Sequence, residues 1–268
     1  MDYLYRSHNR EYIYTREQAK LVQGLRPRLS SMMNLSGLQR FEREVIGRSR
    51  EFFDISHADL AAWKAEGFEH GHWLPPVIDQ DYGEALARQV AWCPEWDVGY
   101  LGNLVNANNT HGVLWFLREV VPQLRQASPR IKIRIAGSHP TKSVIEACRV
   151  ARVTLLPNPA DARAILRGSK VLINPVFQGS GVNLKSIEML HTPAALVSTA
   201  VGVGGLPPSV AEQFIVANAA DPFARGIMKA LARAPDQTSM LRRRAAREAF
   251  SQASMRPLME ALERSTAT

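Results

Sequence analysis

Apolar residues recur along this chain in two periods, and the points where one gives way to the other outline its architecture. Residues 97–106 read as a first core strand ending in a turn at Gly102 and Asn103. Ile131 to Ala136 is a second, closed by Gly137 and Ser138, and Val153 to Leu156 a third, ending at Pro157. Val171 to Ile173 is a fourth, and Ala194 to Ser198 and Phe214 to Val216 follow. Helical spacing fills the intervals. Asn108 to about Gln126 carries Val113, Phe116, Leu117 and Val120 on one face. Thr141 to Cys148, Asp161 to Arg167 and the segment from Val182, with Leu184, Ile187, Met189 and Leu190 inward, repeat the pattern. Strand and helix in alternation predict an α/β fold, a Rossmann-like parallel sheet flanked by helices.

The ends of the chain read differently. Residues 16–53 are polar and helical in pattern, with Leu38, Phe41, Val45 and Ile46 as an apolar stripe. Ser56 is placed to cap a helix through Trp63, and Leu74-Pro75-Pro76 is a stiff extended linker. The pattern predicts a mostly helical unit over 1–76 and the α/β unit over 77–268. Asp236 to Glu263 is expected to be mostly helical, with Arg242, Arg243, Arg244 and Arg247 on its polar side.

Composition narrows the function classes. With 46% hydrophobic and 22% charged residues, the 268-residue chain is an ordinary globular protein in make-up. Cys93 and Cys148 form neither a disulfide framework nor a metal-ligand spacing, which fits a cytoplasmic setting. No apolar run approaches the roughly 20 residues of a membrane helix, and the start, MDYLYRSHNREYIY, has no signal-peptide core. A net charge of +8 is compatible with nucleic acid, an anionic membrane surface or solvated helix faces. Nucleic acid is the weakest of these, because no recognisable module accompanies the charge. The chain carries no P-loop, G-x-S-x-G or H-E-x-x-H motif. Gly202-Val203-Gly204-Gly205 lacks the last glycine of a dinucleotide fingerprint, so NAD is not expected.

The candidate chemistry gathers in residues 171–206. Behind the fourth strand, Asn174 and Pro175 break the apolar run and a loop from Gln178 to Gly181 leads into the helix at Val182. Free backbone N–H groups at such a junction suit a phosphate. Lys185 and Glu188, three apart, are neighbours on one helix surface. A cation and a carboxylate beside an anion-binding loop fit a nucleoside diphosphate, ammonium to phosphate and carboxylate to ribose hydroxyls.

The same residues carry a family resemblance. Pro175, Gly179, Gly181, Lys185 and Glu188, followed by Pro193, Val197, Thr199, Gly202, Gly205 and Leu206, resemble the donor-site signature of group 1 (family 4) glycosyltransferases of the GT-B fold. His8, Asn9 and Glu11 resemble that family's HN-x-E element, and residues 108–124 its tryptophan-bearing helix. The resemblance covers roughly residues 5–260. It implies a sugar transferred, with retention, from a UDP- or GDP-linked donor to a glycan or lipid-linked acceptor hydroxyl, with no cofactor and no metal. Lys185, Glu188 and His8 are then the expected catalytic residues. Gly102, Asn103, Gly137, Ser138, Leu156, Gly179, Ser180, Gly181, Val182 and Asn183 are the expected donor-binding residues. The chain departs from the family at Ser180, where many members place a first glutamate, and after the first strand, where the basic R-x4-K pair is missing. Residues 1–76 correspond to a small helical remnant of the acceptor-side domain, most of which has no counterpart here. The expectation is a short protein, a truncated product or one half of a two-chain enzyme, with self-association or a partner chain and peripheral attachment to the inner membrane surface. The alternative is a non-catalytic relative that keeps nucleotide binding and works through another chain.

Overall fold

The computed structural model describes residues 3–19, 25–88, 92–233 and 237–266. Its centre is a six-stranded, wholly parallel sheet made of β4 (Trp96–Asn103), β5 (Ile133–Ser138), β6 (Thr154–Pro157), β7 (Ser169–Asn174), β8 (Ala195–Ser198) and β9 (Ile215–Val216). The spatial order is β6-β5-β4-β7-β8-β9. The chain lays strands outward from β4 in one direction, then returns to β4 and continues in the other. Side chains of β7 alternate between the two faces. Val171 and Ile173 join Val98, Phe116 and Ile135 on one side, and Leu172 joins Ile187, Leu190 and Leu196 on the other. A sheet buried on both faces therefore reads as a continuous apolar run.

The first long helix is interrupted. Residues Ala107–Trp115 are α-helical, Phe116–Val120 form a π turn and Val121–Ala127 resume the α-helix. Pro122 has no N–H to give to the turn before it, so the ladder shifts register rather than break. Phe116, Leu117 and Val120 stay buried through the shift.

The segment ahead of residue 77 holds more than helices. Beside the helices Glu11–Ala19, Leu25–Arg48 and His57–Ala65 it forms a three-stranded parallel sheet of β1 (Leu4–Ser7), β2 (Glu51–Asp54) and β3 (Gly71–Trp73). The segment is mostly helical in residue count, and the short strands add to it because they complete one another only across long separations in sequence. The stripe on the long helix also differs from expectation. Phe41 is exposed, Leu38 and Val45 are half-buried, and the buried positions are Glu42 and Ile46. Glu42 is buried because its carboxylate accepts from the backbone N–H groups of Glu11 (2.5 Å) and Tyr12 (3.0 Å), capping the preceding helix.

The C-terminal segment crosses back. It divides into the helices Gln237–Glu248 and Arg256–Thr266, joined by a short 3₁₀ turn. Ala261 packs against Phe53 and Leu74 of the small sheet, and Arg264 pairs with Glu51 at 2.9 Å. The arginine cluster is not one solvated face. Arg242 and Arg244 are exposed. Arg243 and Arg247 turn inward and donate to the carbonyls of Leu190, Thr192 and Ala194, just past the helix Leu184–Leu190.

Candidate active site

The order of strands locates a crevice. β4 is hydrogen-bonded to β5 on one side and β7 on the other, so the connection leaving β4 for β5 and the one leaving β7 for β8 diverge above their C-terminal ends. In open α/β sheets ligands bind at this switch point. A cavity of about 570 Å³ lies there. Its walls are the end of β4 at Leu101 to Asn103, the first turn of the helix after it, the loop Gln178 to Asn183, and Lys185 and Glu188. Asn9 and Tyr14 close it from the N-terminal segment.

Lys185 reaches into the base of this cavity. Its Nζ donates to the Tyr100 hydroxyl at 2.9 Å and to Asn109 Oδ1 at 3.1 Å, with Asn174 Oδ1 at 3.5 Å. It also stands 4.2 Å from the centre of the Tyr100 ring. Every one of these partners is neutral. Burial without a counter-ion lowers the lysine to about 7, and Glu188 opposes that only in part. A glycine makes the approach possible. A Cβ on Gly102 would lie 2.6 Å from the Tyr100 hydroxyl and 3.0 Å from Nζ.

Glu188, one turn further along the same helix, is held by a residue from outside the motif. Tyr82, on the helix Gln80–Ala87, donates its hydroxyl to Glu188 Oε1 at 3.2 Å. Burial raises the carboxyl of Glu188, with Tyr82 and Lys185 pulling it down. The same contact, added to burial, pushes the Tyr82 phenol up to about 12.

The glycine loop is bound to the N-terminal segment. Gly181 has φ +73°, and a Cβ there would fall 2.1 Å from Asn9 Oδ1 and 2.8 Å from the His8 carbonyl. With its amide turned to satisfy both ends, Asn9 donates to the Ser180 carbonyl at 3.2 Å. Asn9 lines the cavity, whereas His8 is exposed and brings its backbone, not its ring, to the loop. Asp59, on the helix His57–Ala65, is raised by burial and lowered by the Ser56 hydroxyl, Arg10 and the backbone N–H groups of Gly181 and Arg10.

The expected site residues fall into two groups. Gly102, Asn103, Gly179, Ser180, Gly181, Val182, Asn183, Lys185 and Glu188 share the cavity wall. Gly137, Ser138 and Leu156 stand beside it, on the ends of β5 and β6: Gly137 and Ser138 pair with Gly102 and Asn103, and Leu156 pairs with Ala136. The helix after the loop starts at Leu184, later than Val182, and is seven residues long without a side-chain cap. Tyr82, Tyr100, Asn109 and Asn174 complete the surroundings of the two charged groups. Sequence reasoning passed over them because Tyr100 reads as strand core, Asn174 as a strand breaker, and Tyr82 and Asn109 fall in no distinctive motif. Among the described residues no cluster of three His, Cys, Asp or Glu has the geometry of a metal site.

Residues 95–233, a little over half of the chain, match the model of a family described as glycosyl transferases group 1. The chain belongs to this family. This group 1 glycosyl transferase chain is 33% identical over 140 residues to an uncharacterized 44.6 kDa protein in the cps region of Klebsiella pneumoniae. That alignment takes in 49% of this chain and 36% of the relative, so the chain spans about a third of the relative's length. Solved structures share the GT-B fold. One is WaaG, a glycosyltransferase involved in lipopolysaccharide biosynthesis, at 16% identity and a TM-score of 0.61, covering 96% of this chain and 73% of that one. Another is Anabaena HepE in complex with UDP and glucose, at 13% and 0.60, covering 97% and 71%. A third is the UDP-forming trehalose-phosphate synthase of Burkholderia xenovorans in complex with glucose-6-phosphate, at 12% and 0.64, covering 87% and 64%.

Proposed function

We propose that this group 1 glycosyl transferase chain binds a nucleoside diphosphate sugar, UDP- or GDP-linked, and serves transfer of its sugar to a hydroxyl of a glycan or lipid-linked acceptor. The observation that carries this reading is the placement of Lys185 and Glu188 together in the wall of a cavity at the switch point of the sheet. Glycosyl transfer leaves negative charge on the departing diphosphate, and a fixed cation in a shielded site stabilises it. Lys185 supplies the cation and Glu188 accepts from ribose hydroxyls. The family's retaining stereochemistry comes with this reading. Residues 77–268 are the donor-binding unit and 1–76 the acceptor-side remnant and linker. The complex of HepE with UDP and glucose supports the ligand class, and the lipopolysaccharide role of WaaG and the cps setting of the Klebsiella relative support a polysaccharide context.

A second reading is a nucleotide-binding partner without turnover of its own. Ser180, standing where many relatives have a glutamate, favours it, because a hydroxyl there does not supply the carboxylate contact to a donor sugar.

Calorimetric titration with UDP, GDP and ADP tests the first part, with Lys185→Ala and Glu188→Ala as controls. Binding of one nucleotide, lost in both variants, is the expected result; no binding by any of the three overturns the site. Slow hydrolysis of the matching sugar nucleotide then separates an enzyme from a silent binder.

A further inference from the structure

The cavity at the switch point has two unlike sides. Above β4 its wall is amide: Asn103 ends the strand, Asn106 caps the helix after it and Asn109 lies in that helix's first turn. On the side where the chain returns from β8 the wall is apolar. Val182, Leu184 and Val201 line it, together with Tyr14 of the N-terminal segment. Val182 is half-buried, whereas Leu184 and Val201 are 56% and 36% exposed.

Backbone contacts hold this apolar side together. Gly181, the residue before Val182, packs on Asn9 and on the His8 carbonyl. Tyr14 follows within a turn of helix, its N–H donating to the Arg10 carbonyl at 2.9 Å. Gly205 closes on the loop from the β8 side, where a Cβ would fall 2.1 Å from the Gly181 carbonyl and 3.1 Å from the Val182 Cα. Val201 belongs to the short helix Ala200–Val203 just ahead of Gly205. Apolar side chains in the wall of a concave site make their contacts with apolar surface of the ligand.

The helix Leu184–Leu190 sets an order along the wall. Leu184 is its first residue, Lys185 its second, and Glu188 lies one turn further in. With ribose on Glu188 and phosphate on Lys185 and the glycine loop, the group beyond the phosphate comes against Val182, Leu184 and Val201. Resting on the nucleotide-site reading above, we infer that the sugar of the donor carries a methyl group that packs on this wall, as a 6-deoxyhexose or an acetamido sugar does. A hydroxyl placed there gives up water and receives no hydrogen bond from these three side chains, whereas a methyl group gains by leaving water.

The test is calorimetric titration with matched sugar nucleotides. UDP-glucose and UDP-galactose are each compared with their 6-deoxy and 2-acetamido analogues, and GDP-mannose with its own if GDP is the nucleotide that binds. One buried methyl is worth about fourfold in affinity, so a methyl-bearing sugar is expected to bind at least about threefold tighter than its parent. The analogue that shows the gain identifies which of the two methyl groups is recognised. Leu184→Gln and Val201→Thr exchange exposed apolar groups for polar ones, away from the buried core. Each is expected to bring the ratio toward one while bare UDP or GDP binds as before. A ratio below about threefold in every pair, or one that survives both substitutions, overturns the inference. Binding of the bare nucleotide then still leaves the nucleotide site standing, and failure of UDP and GDP alike to bind overturns both.

Discussion

The ammonium of Lys185 donates to the Tyr100 hydroxyl at 2.9 Å, and no carboxylate shares that contact. Burial without an ion-pair partner is why the lysine is lowered to about 7. An arriving phosphate restores the missing counter-charge and raises it again. Below pH 7 the lysine is already charged and binding moves few protons. Above it, binding must take up a proton, so affinity falls as pH climbs toward 9. Calorimetry in buffers of different ionisation enthalpy should show net proton uptake at pH 8 and little at pH 6.

The same burial makes a stability prediction. The folded-state value of Lys185 lies below its ordinary 10.5, so the native state disfavours the charged form. The penalty is absent above the unfolded value, grows as pH falls, and is full below about 7. Lys185→Met, close in length and uncharged, is expected to stabilise the protein without added nucleotide at pH 7 by on the order of a few kcal/mol. It should abolish nucleotide binding at the same time. Thermal denaturation with and without nucleotide checks both.

Tyr82 fixes one oxygen of Glu188 and leaves the other for a ligand. Tyr82→Phe removes the hydroxyl and keeps the ring. It should weaken nucleotide binding by about threefold to tenfold, the worth of one hydrogen bond to a charged group, with the melting temperature nearly unchanged. The loss should vanish for a 2′,3′-dideoxyribose nucleotide, which offers Glu188 no hydroxyl.

Asp54 is fully buried, and burial raises it to about 7 against the opposing bond from the Ser56 N–H. A carboxyl raised on folding costs nothing below its unfolded value of 3.8 and its full penalty above about 7. Asp54→Asn keeps an acceptor for Ser56 and removes the titration. Relative to the wild type, the variant should gain stability steadily between pH 4 and 7, read by urea unfolding at several pH values.

Arg243 and Arg247 hold the carbonyls of Leu190, Thr192 and Ala194, between the site helix and β8. Arg247→Ala leaves buried carbonyls without donors and should cost about 2–3 kcal/mol. The neighbouring exposed pair offers the control: Arg242→Ala and Arg244→Ala should each change stability by less than about 0.5 kcal/mol.

The sequence by itself determined the parallel sheet, because strands buried on both faces, such as Val171 to Ile173, must be apolar throughout and the helices between them keep their own period. It also determined the loop with Lys185 and Glu188, since glycine at positive φ and a three-residue spacing are local requirements. Only the tertiary structure decided what those two side chains face. Tyr82, Tyr100, Asn109 and Asn174 come from four separate elements, and none is distinctive at its place in the chain. The small sheet of β1, β2 and β3, the inward turn of Glu42, Arg243 and Arg247, and the docking of the last helix on Phe53 and Leu74 were likewise decided by long-range partners. A charged residue is written the same way whether it meets water or a buried carbonyl. What lies opposite it depends on the packing of segments far apart in the chain, and no local pattern records that.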